Sequence, residues 1–225
     1  MKTVLSTKTL TLPQKELLLN AGVAFVEYNA IQIDFLPVKI PLDFTDFIFT
    51  SKNGVKAFLR ALESKNENLD RKRINCFCVG DKTKWLLVES GLTVLETALN
   101  ALELAQIIAD NYKTNRFIYI SGNLRRNELP EQLSKNNVWF QEITAYQTSL
   151  IKKQFDRSFD GILFFSPSGV RSFMKANNAV KTPFFCIGTT TADEAKKYTN
   201  NIIIANRPTT ENVLVQAIKY LNQND

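Results

Sequence analysis

Hydroxyls, backbone amides and a phenol carry the chemistry this chain has to offer. Ser51 opens the run Ser51-Lys52-Asn53-Gly54-Val55, and Ser166 opens Ser166-Pro167-Ser168-Gly169-Val170. Each ends a β-rich run and begins a helical pattern, where a serine caps the helix by accepting an N–H bond. The unpaired N–H groups of such a first turn also favour an anion, helped by the helix dipole. At this level both uses stay open. The turns Gly80-Asp81-Lys82-Thr83 and Gly188-Thr189-Thr190-Thr191 follow the same logic, a glycine for a sharp turn or close approach and then a hydroxyl residue. In Tyr119-Ile120-Ser121-Gly122-Asn123-Leu124-Arg125-Arg126 the turn leads to paired guanidiniums, which suit bidentate recognition of carboxylate or phosphate. Tyr146, in Ala145-Tyr146-Gln147-Thr148, adds a phenol.

The chain has no histidine among its 225 residues. A Ser-His-Asp or Cys-His relay, a His-ligated metal and an imidazole shuttle are therefore excluded. Cys76 and Cys78 alternate with Phe77, so they point to one face, and with Cys186 they read as small buried hydrophobes rather than metal ligands. Neither the phosphate-loop spacing nor the dinucleotide fingerprint is present. A net charge of +6 favours anionic partners. The basic residues are scattered, with Arg71-Lys72-Arg73 the one run, so nucleic acid is not the expected partner. The polar start Met1-Lys2-Thr3-Val4-Leu5-Ser6-Thr7-Lys8 is no signal peptide, and no apolar run reaches the roughly 20 residues of a membrane span. A reducing, cytoplasmic setting is expected.

The elements that must position these residues alternate along the chain. Strands are expected over 23–28, 47–50, 75–79, 117–121, 138–143, 161–165, 184–187 and 202–205. Helices are expected over 54–62, 83–89, 102–109, 169–175, 191–198 and 211–221. That alternation predicts an α/β fold with parallel sheets flanked by helices. The chain also repeats itself. The motif beginning at Phe49 recurs at Phe164, and Val23-Ala24-Phe25-Val26-Glu27 recurs as Val138-Trp139-Phe140-Gln141-Glu142, both 115 positions later. Cys78-Val79-Gly80 recurs as Cys186-Ile187-Gly188. Two similar domains follow, from halves near 1–112 and 113–225, arranged either contiguously or with the first unit of one half completing the other's sheet. Ligands of open α/β sheets bind at the carboxyl ends of strands, so two such ends facing one another would line a cleft with amides and hydroxyls.

Taken in order, these motifs resemble the uroporphyrinogen-III synthase family. Phe47-Ile48-Phe49-Thr50-Ser51-Lys52-Asn53-Gly54-Val55, Val79-Gly80-Asp81-Lys82-Thr83 and Tyr119 to Arg126 are similar to its motifs. So are Ala145-Tyr146-Gln147-Thr148, Phe164-Phe165-Ser166-Pro167-Ser168-Gly169 and Ile187-Gly188-Thr189-Thr190-Thr191-Ala192. The resemblance implies an internal duplication with swapped connectivity: a domain of 1–32 plus 151–225, a second of 39–144, and a two-stranded linker of 33–38 and 145–150. It implies a cytoplasmic, cofactor-free, metal-free monomer acting on hydroxymethylbilane, a linear tetrapyrrole rich in carboxylates. The enzyme would close it, with loss of water and inversion of the last pyrrole ring, to uroporphyrinogen III in haem biosynthesis. Tyr146 would be the general acid. Thr50, Ser51, Asn53, Gly80, Thr83, Ser121, Gly122, Arg125, Ser166, Ser168, Gly169, Gly188, Thr190 and Thr191 would bind substrate. The alternative is a non-catalytic two-domain binder of an anionic small molecule or tetrapyrrole. Lys8 stands where many relatives have Arg, and Asn136-Asn137 where the family often has Gly.

Overall fold

Phe47, Ile48 and Phe49 show how the sheets are built. They lie in β4 (Asp46–Phe49), buried along its whole length. Phe47 and Phe49 enter one apolar cluster with Val55, Phe58 and Leu87, while Ile48 enters another with Leu104, Ile108, Leu129 and Leu133. Side chains alternate across a strand, so helices must cover both faces, as in a parallel sheet. Fully burying a ring such as Phe58, with centroids 4.9 Å from Phe47 and 5.3 Å from Phe49, contributes about 1.5–3 kcal/mol. Cys76 and Cys78 share the Phe47 face and Phe77 takes the other, as their alternation requires. All three cysteines are buried free thiols, and burial pushes the Cys186 thiol up to about 12.

The computed structural model describes residues 1–41, 43–63, 71–179 and 181–223; the Lys72 side chain lies outside the described residues. The chain divides into two units. One comprises Met1–Gln32 and Ser149–Asp225, the other Ile33–Thr148. The first unit contains β1 (Thr3–Ser6), α1 (Leu12–Asn20), β2 (Ala24–Glu27), β9 (Gly161–Phe164), α6 (Pro167–Met174), β10 (Phe184–Cys186), α7 (Thr189–Ala195), β11 (Ile202–Ile204) and α8 (Thr210–Gln223). Its sheet order is β11-β10-β9-β1-β2, with every pairing parallel. Helices α6 and α7 cover one face, and α1 and α8 the other.

The second unit contains α2 (Lys52–Glu63), β5 (Asn75–Val79), α3 (Asp81–Glu89), β6 (Thr93–Ala98), α4 (Ala101–Asn111), β7 (Arg116–Gly122) and α5 (Glu128–Lys135) besides β4. Its sheet order is β3-β8-β7-β4-β5-β6, where β3 is Ile31–Phe35 and β8 is Trp139–Leu150. The run β6-β5-β4-β7-β8 has the same layout as β11-β10-β9-β1-β2, and in both units the strands end on the edge that carries the Ser and Gly turns. β8 runs unbroken through 145–150, so Tyr146 sits inside a strand of the sheet. Among the described residues no helix is long and apolar enough to cross a membrane.

Among the described residues β1, α1, β6 and α5 escape the periodicity of the sequence. The leucines of α1 fall around the helix, with Leu12 and Leu19 exposed. Strand β6 lies at the sheet edge with Leu95 exposed, so its pattern is diluted. Pro130 interrupts α5 in its first turn, where a missing N–H is tolerated.

Helix α5 ends in a left-handed residue, Asn137, at φ +56°. Its N–H bonds Ser134 O at 3.0 Å, and Val138 N–H reaches Leu133 O at 3.0 Å. Helices α1 and α3 close in the same way with Gly22 and Gly91. Asn137→Gly is therefore expected to melt at or above the parent temperature. Asn137→Ala should lose about 1 kcal/mol through the left-handed backbone, read by thermal unfolding.

Candidate functional site

Because β4, β5 and β7 run parallel, their carboxyl ends gather Thr50, Ser51, Gly80, Thr83, Ser121 and Gly122 on one edge of the second unit. Ser51 caps α2, its Oγ accepting the Gly54 N–H at 3.1 Å. The same oxygen lies 2.9 Å from the Tyr146 hydroxyl. A serine oxygen has two lone pairs and one proton. With one lone pair spent on the cap, Ser51 can donate to the Tyr146 oxygen and leave the phenol proton free for a third group. Thr50 Oγ1 pairs at 3.0 Å with the hydroxyl of Tyr119, a second phenol, which burial pushes up.

Arg125 does not present an open fork. Its Nε reaches Glu142 Oε1 at 2.6 Å and its Nη2 reaches Oε2 at 2.8 Å, while Nη1 bonds Asn127. Ser121, buried, donates to Glu142 Oε1 at 2.6 Å. Arg125 and Ser121, expected as ligands for substrate carboxylates, thus spend their donors on an internal carboxylate, because β8 brings Glu142 alongside them. The Arg125 guanidinium holds the Glu142 carboxyl below its ordinary range, and Glu142 holds the guanidinium up. Arg126 is exposed and pairs with Glu128 at 3.5 Å.

Gly80 and Gly188 differ although their motifs match. Gly80 takes φ +81°, a backbone that suits glycine, whereas Gly188 is extended at φ −177°. A Cβ at Gly188 would meet nothing within 4 Å. Thr83 and Thr191 are 5 % and 3 % exposed, and their hydroxyls have no partner among the described residues. Asn53 is half-buried, its side chain likewise unpartnered among the described residues, and Thr190 is exposed.

In the first unit Ser166 caps α6 by accepting the Gly169 N–H at 3.1 Å, matching Ser51. Ser168 Oγ accepts from Arg171 Nη2 at 3.3 Å, and Arg171 Nη1 reaches Glu194 Oε2 at 3.1 Å. Lys197 bonds the same oxygen at 2.9 Å. Lys8 donates to Thr210 Oγ1 at 2.7 Å and lies 4.8 Å from the centroid of the Phe165 ring. Among the described residues no cluster of three His, Cys, Asp or Glu side chains could hold a metal.

A family model described as uroporphyrinogen-III synthase HemD matches residues 14–214. The chain belongs to that family. A curated member, the porphyrin biosynthesis protein HemD of Ruminiclostridium josui, is 25% identical over 227 residues. The match takes in 88% of this chain and 44% of that protein, so the chain spans less than half the length of this relative. Uroporphyrinogen-III synthetase from Helicobacter pylori superposes with a TM-score of 0.75 at 18% identity, covering 98% of this chain and 100% of that one. A mutant uroporphyrinogen III synthase from Thermus thermophilus gives 0.67 at 13% identity, with 100% of both chains covered. At such identities the likeness is one of fold.

Within this uroporphyrinogen-III synthase family member, the two halves share a further feature, which the sequence reading passed over. Glu27 and Glu142 occupy corresponding places in the 115-residue repeat, and each clamps the loop after the first strand of its pair. Glu27 accepts the Leu10 N–H at 2.5 Å and the Lys15 ammonium at 2.8 Å, as Glu142 accepts Ser121 and Arg125. The signal was legible in the recurrence of Glu at the end of both strand motifs. Tyr119 gave no such signal, since a tyrosine in a buried strand reads as core.

Proposed function

We propose that the chain converts hydroxymethylbilane to uroporphyrinogen III, with Tyr146 as general acid. Family membership supports the substrate. The observation that carries the residue assignment is the Tyr146 hydroxyl 2.9 Å from Ser51, whose other lone pair is held by a helix cap. The pyrrole electron pair expels the neighbouring hydroxyl, the carbon–oxygen bond breaks, and the Tyr146 proton lets the oxygen leave as water. The azafulvene so formed is attacked by the substituted carbon of the last ring, giving a spiro intermediate. The bond from that carbon to its original methylene then breaks, and the methylene rejoins the ring at its free carbon, which inverts the ring. Rearomatisation at the end releases the proton that restores the phenol, so the balance is one water lost. Ser51, donating to the phenol oxygen, stabilises the phenolate between these steps. Holding the chain for attack at the hindered carbon is the larger task, and such positioning is worth roughly 7–11 kcal/mol.

The acetate and propionate groups fall to the turns. Thr83, Thr191, Asn53 and Thr190 carry hydroxyl or amide groups without a partner among the described residues, and Thr50, Ser51, Ser166, Ser168 and Gly169 shape the helix starts beside them. Gly188 supports this reading: neither its φ nor a neighbour demands glycine, so its bare backbone serves a group from outside the chain. The substrate is the partner, with no nucleic acid, membrane or cofactor, and the enzyme works as a cytoplasmic monomer.

Freshly prepared hydroxymethylbilane closes by itself to the non-inverted isomer I. With this protein present, oxidised products resolved by chromatography should be isomer III. An unchanged yield of isomer I removes the enzyme reading, and tight binding without isomer III would leave the binder in its place.

A further inference from the structure

We propose that Gly122 is the seat of the Tyr146 ring, a positioning residue for the acid rather than a ligand for substrate. The inference rests on the assignment of Tyr146 above. A Cβ at Gly122 would lie 2.3 Å from Cε2 and from Cζ of Tyr146 and 2.8 Å from its hydroxyl oxygen. No side chain fits there while the ring stays. Gly122 is not among the glycines of positive φ, so the backbone does not call for glycine and the demand is one of space.

The sheet is deformed to make this contact. Along β7 and β8 the register runs Ser121 to Thr144 and then slips, so that Gly122 faces Tyr146. Without the slip it would face Ala145. Irregularities of this kind re-aim side chains next to active sites. The seat is pinned at both neighbours of Gly122, Ser121 and Asn123. Glu142 holds Ser121 and Arg125 on one side. On the other, Asn123 Oδ1 accepts the Thr148 N–H at 2.8 Å, its Nδ2 donates to Thr148 O at 3.3 Å, and its backbone N–H reaches Tyr146 O at 3.3 Å. With the loop held in this way, the ring tip is the cheaper part to displace when a larger residue enters.

The repeat supplies an independent comparison. At the corresponding places, 115 residues earlier, the chain has Thr7 and Ile31. Glycine appears at the first position in the half where tyrosine occupies the second. That paired exchange is what a seat for a ring requires, and capture of an anion would not couple the two positions.

The test is Gly122→Ala, alone and combined with Tyr146→Phe. The ring tip is the free end of a side chain and moves cheaply, so the Ala variant should fold. Its kcat for isomer III should fall by roughly tenfold or more while KM stays near the parent value. In the Tyr146→Phe background the same methyl still meets a ring but displaces no phenol, and kcat should fall no further. Losses that multiply in the double variant overturn the proposal, as does a Gly122→Ala enzyme of parental rate. A second readout does not depend on turnover. The Tyr146 resonance in protein carrying ¹³Cζ-tyrosine, assigned by its loss in Tyr146→Phe, should shift in Gly122→Ala, and an unmoved resonance overturns the seat. Failure of the parent protein to make isomer III would instead remove the activity reading and leave the resonance test standing. If Gly122→Ala does not fold, Gly122→Ala with Tyr146→Ala should, because the ring is gone; a double variant that stays unfolded also overturns the proposal.

Discussion

Tyr146→Phe is expected to lower turnover to isomer III by about 10²–10⁴-fold, the range a general acid contributes, with KM and melting temperature little changed. Among the described residues the phenol is bonded to Ser51 alone. Its removal leaves the Ser51–Gly54 cap intact, and a single part-exposed hydrogen bond is worth about 0.5–1.5 kcal/mol. The ring remains over Gly122, so the strand register and the packing of the ring against the apolar cluster of Phe47, Val55 and Phe58 have no cause to change. Rate and stability therefore separate. Single-turnover formation of the macrocycle, followed alongside thermal unfolding, reads both quantities. A variant that cyclises at the parental rate removes the acid role, and one that melts well below the parent places Tyr146 in the scaffold instead.

The fold was largely legible because both sheets are buried on both faces. Runs such as Phe47-Ile48-Phe49 and Phe184-Phe185-Cys186 have no polar face to confuse a strand with a helix, and the helices between them are marked by Ser and Gly at their starts. Elements whose burial is partial, such as β6 and α1, left weaker traces. The site was legible in its positions and less so in its roles. Ser51 and Ser166 were readable as caps and do cap. Gly80 and Gly188 look alike as letters, yet one is bound by its backbone angle and the other is not. Arg125 looks like an anion receptor until its carboxylate is found 17 residues downstream on the next strand. That pairing depends on strand order and register, which local spacing does not encode. Gly122 illustrates the same limit: its reason is a ring 24 residues away, brought opposite it by a register slip.

Glu142→Ala is expected to cost about 2 kcal/mol of stability at neutral pH. Exposed ion pairs contribute about 0–1 kcal/mol, and breaking a buried one by removing a partner costs about 3–5 kcal/mol. The Arg125 and Glu142 side chains are 27% and 24% exposed, which places this bidentate pair between the two cases. The loss has two parts. Arg125 forfeits both carboxylate bonds, and the buried Ser121 hydroxyl is left without its acceptor. Glu142→Gln keeps an oxygen for Ser121 and should lose about half as much. The pH dependence follows from the direction of the shift. Arg125 lowers the Glu142 carboxyl in the folded protein, so the pair stabilises the fold above the unfolded carboxyl's ordinary value, about 4.3, and that contribution disappears as pH falls through the lowered folded value. Parent and Glu142→Gln should therefore differ in unfolding free energy at pH 7 and converge in acid. Denaturant titrations at neutral and acid pH measure the gap. A gap that persists unchanged below the carboxylate range would show that Glu142 stabilises the loop through packing, and the clamp around Tyr146 would then rest on Asn123 and Thr148 instead of on charge.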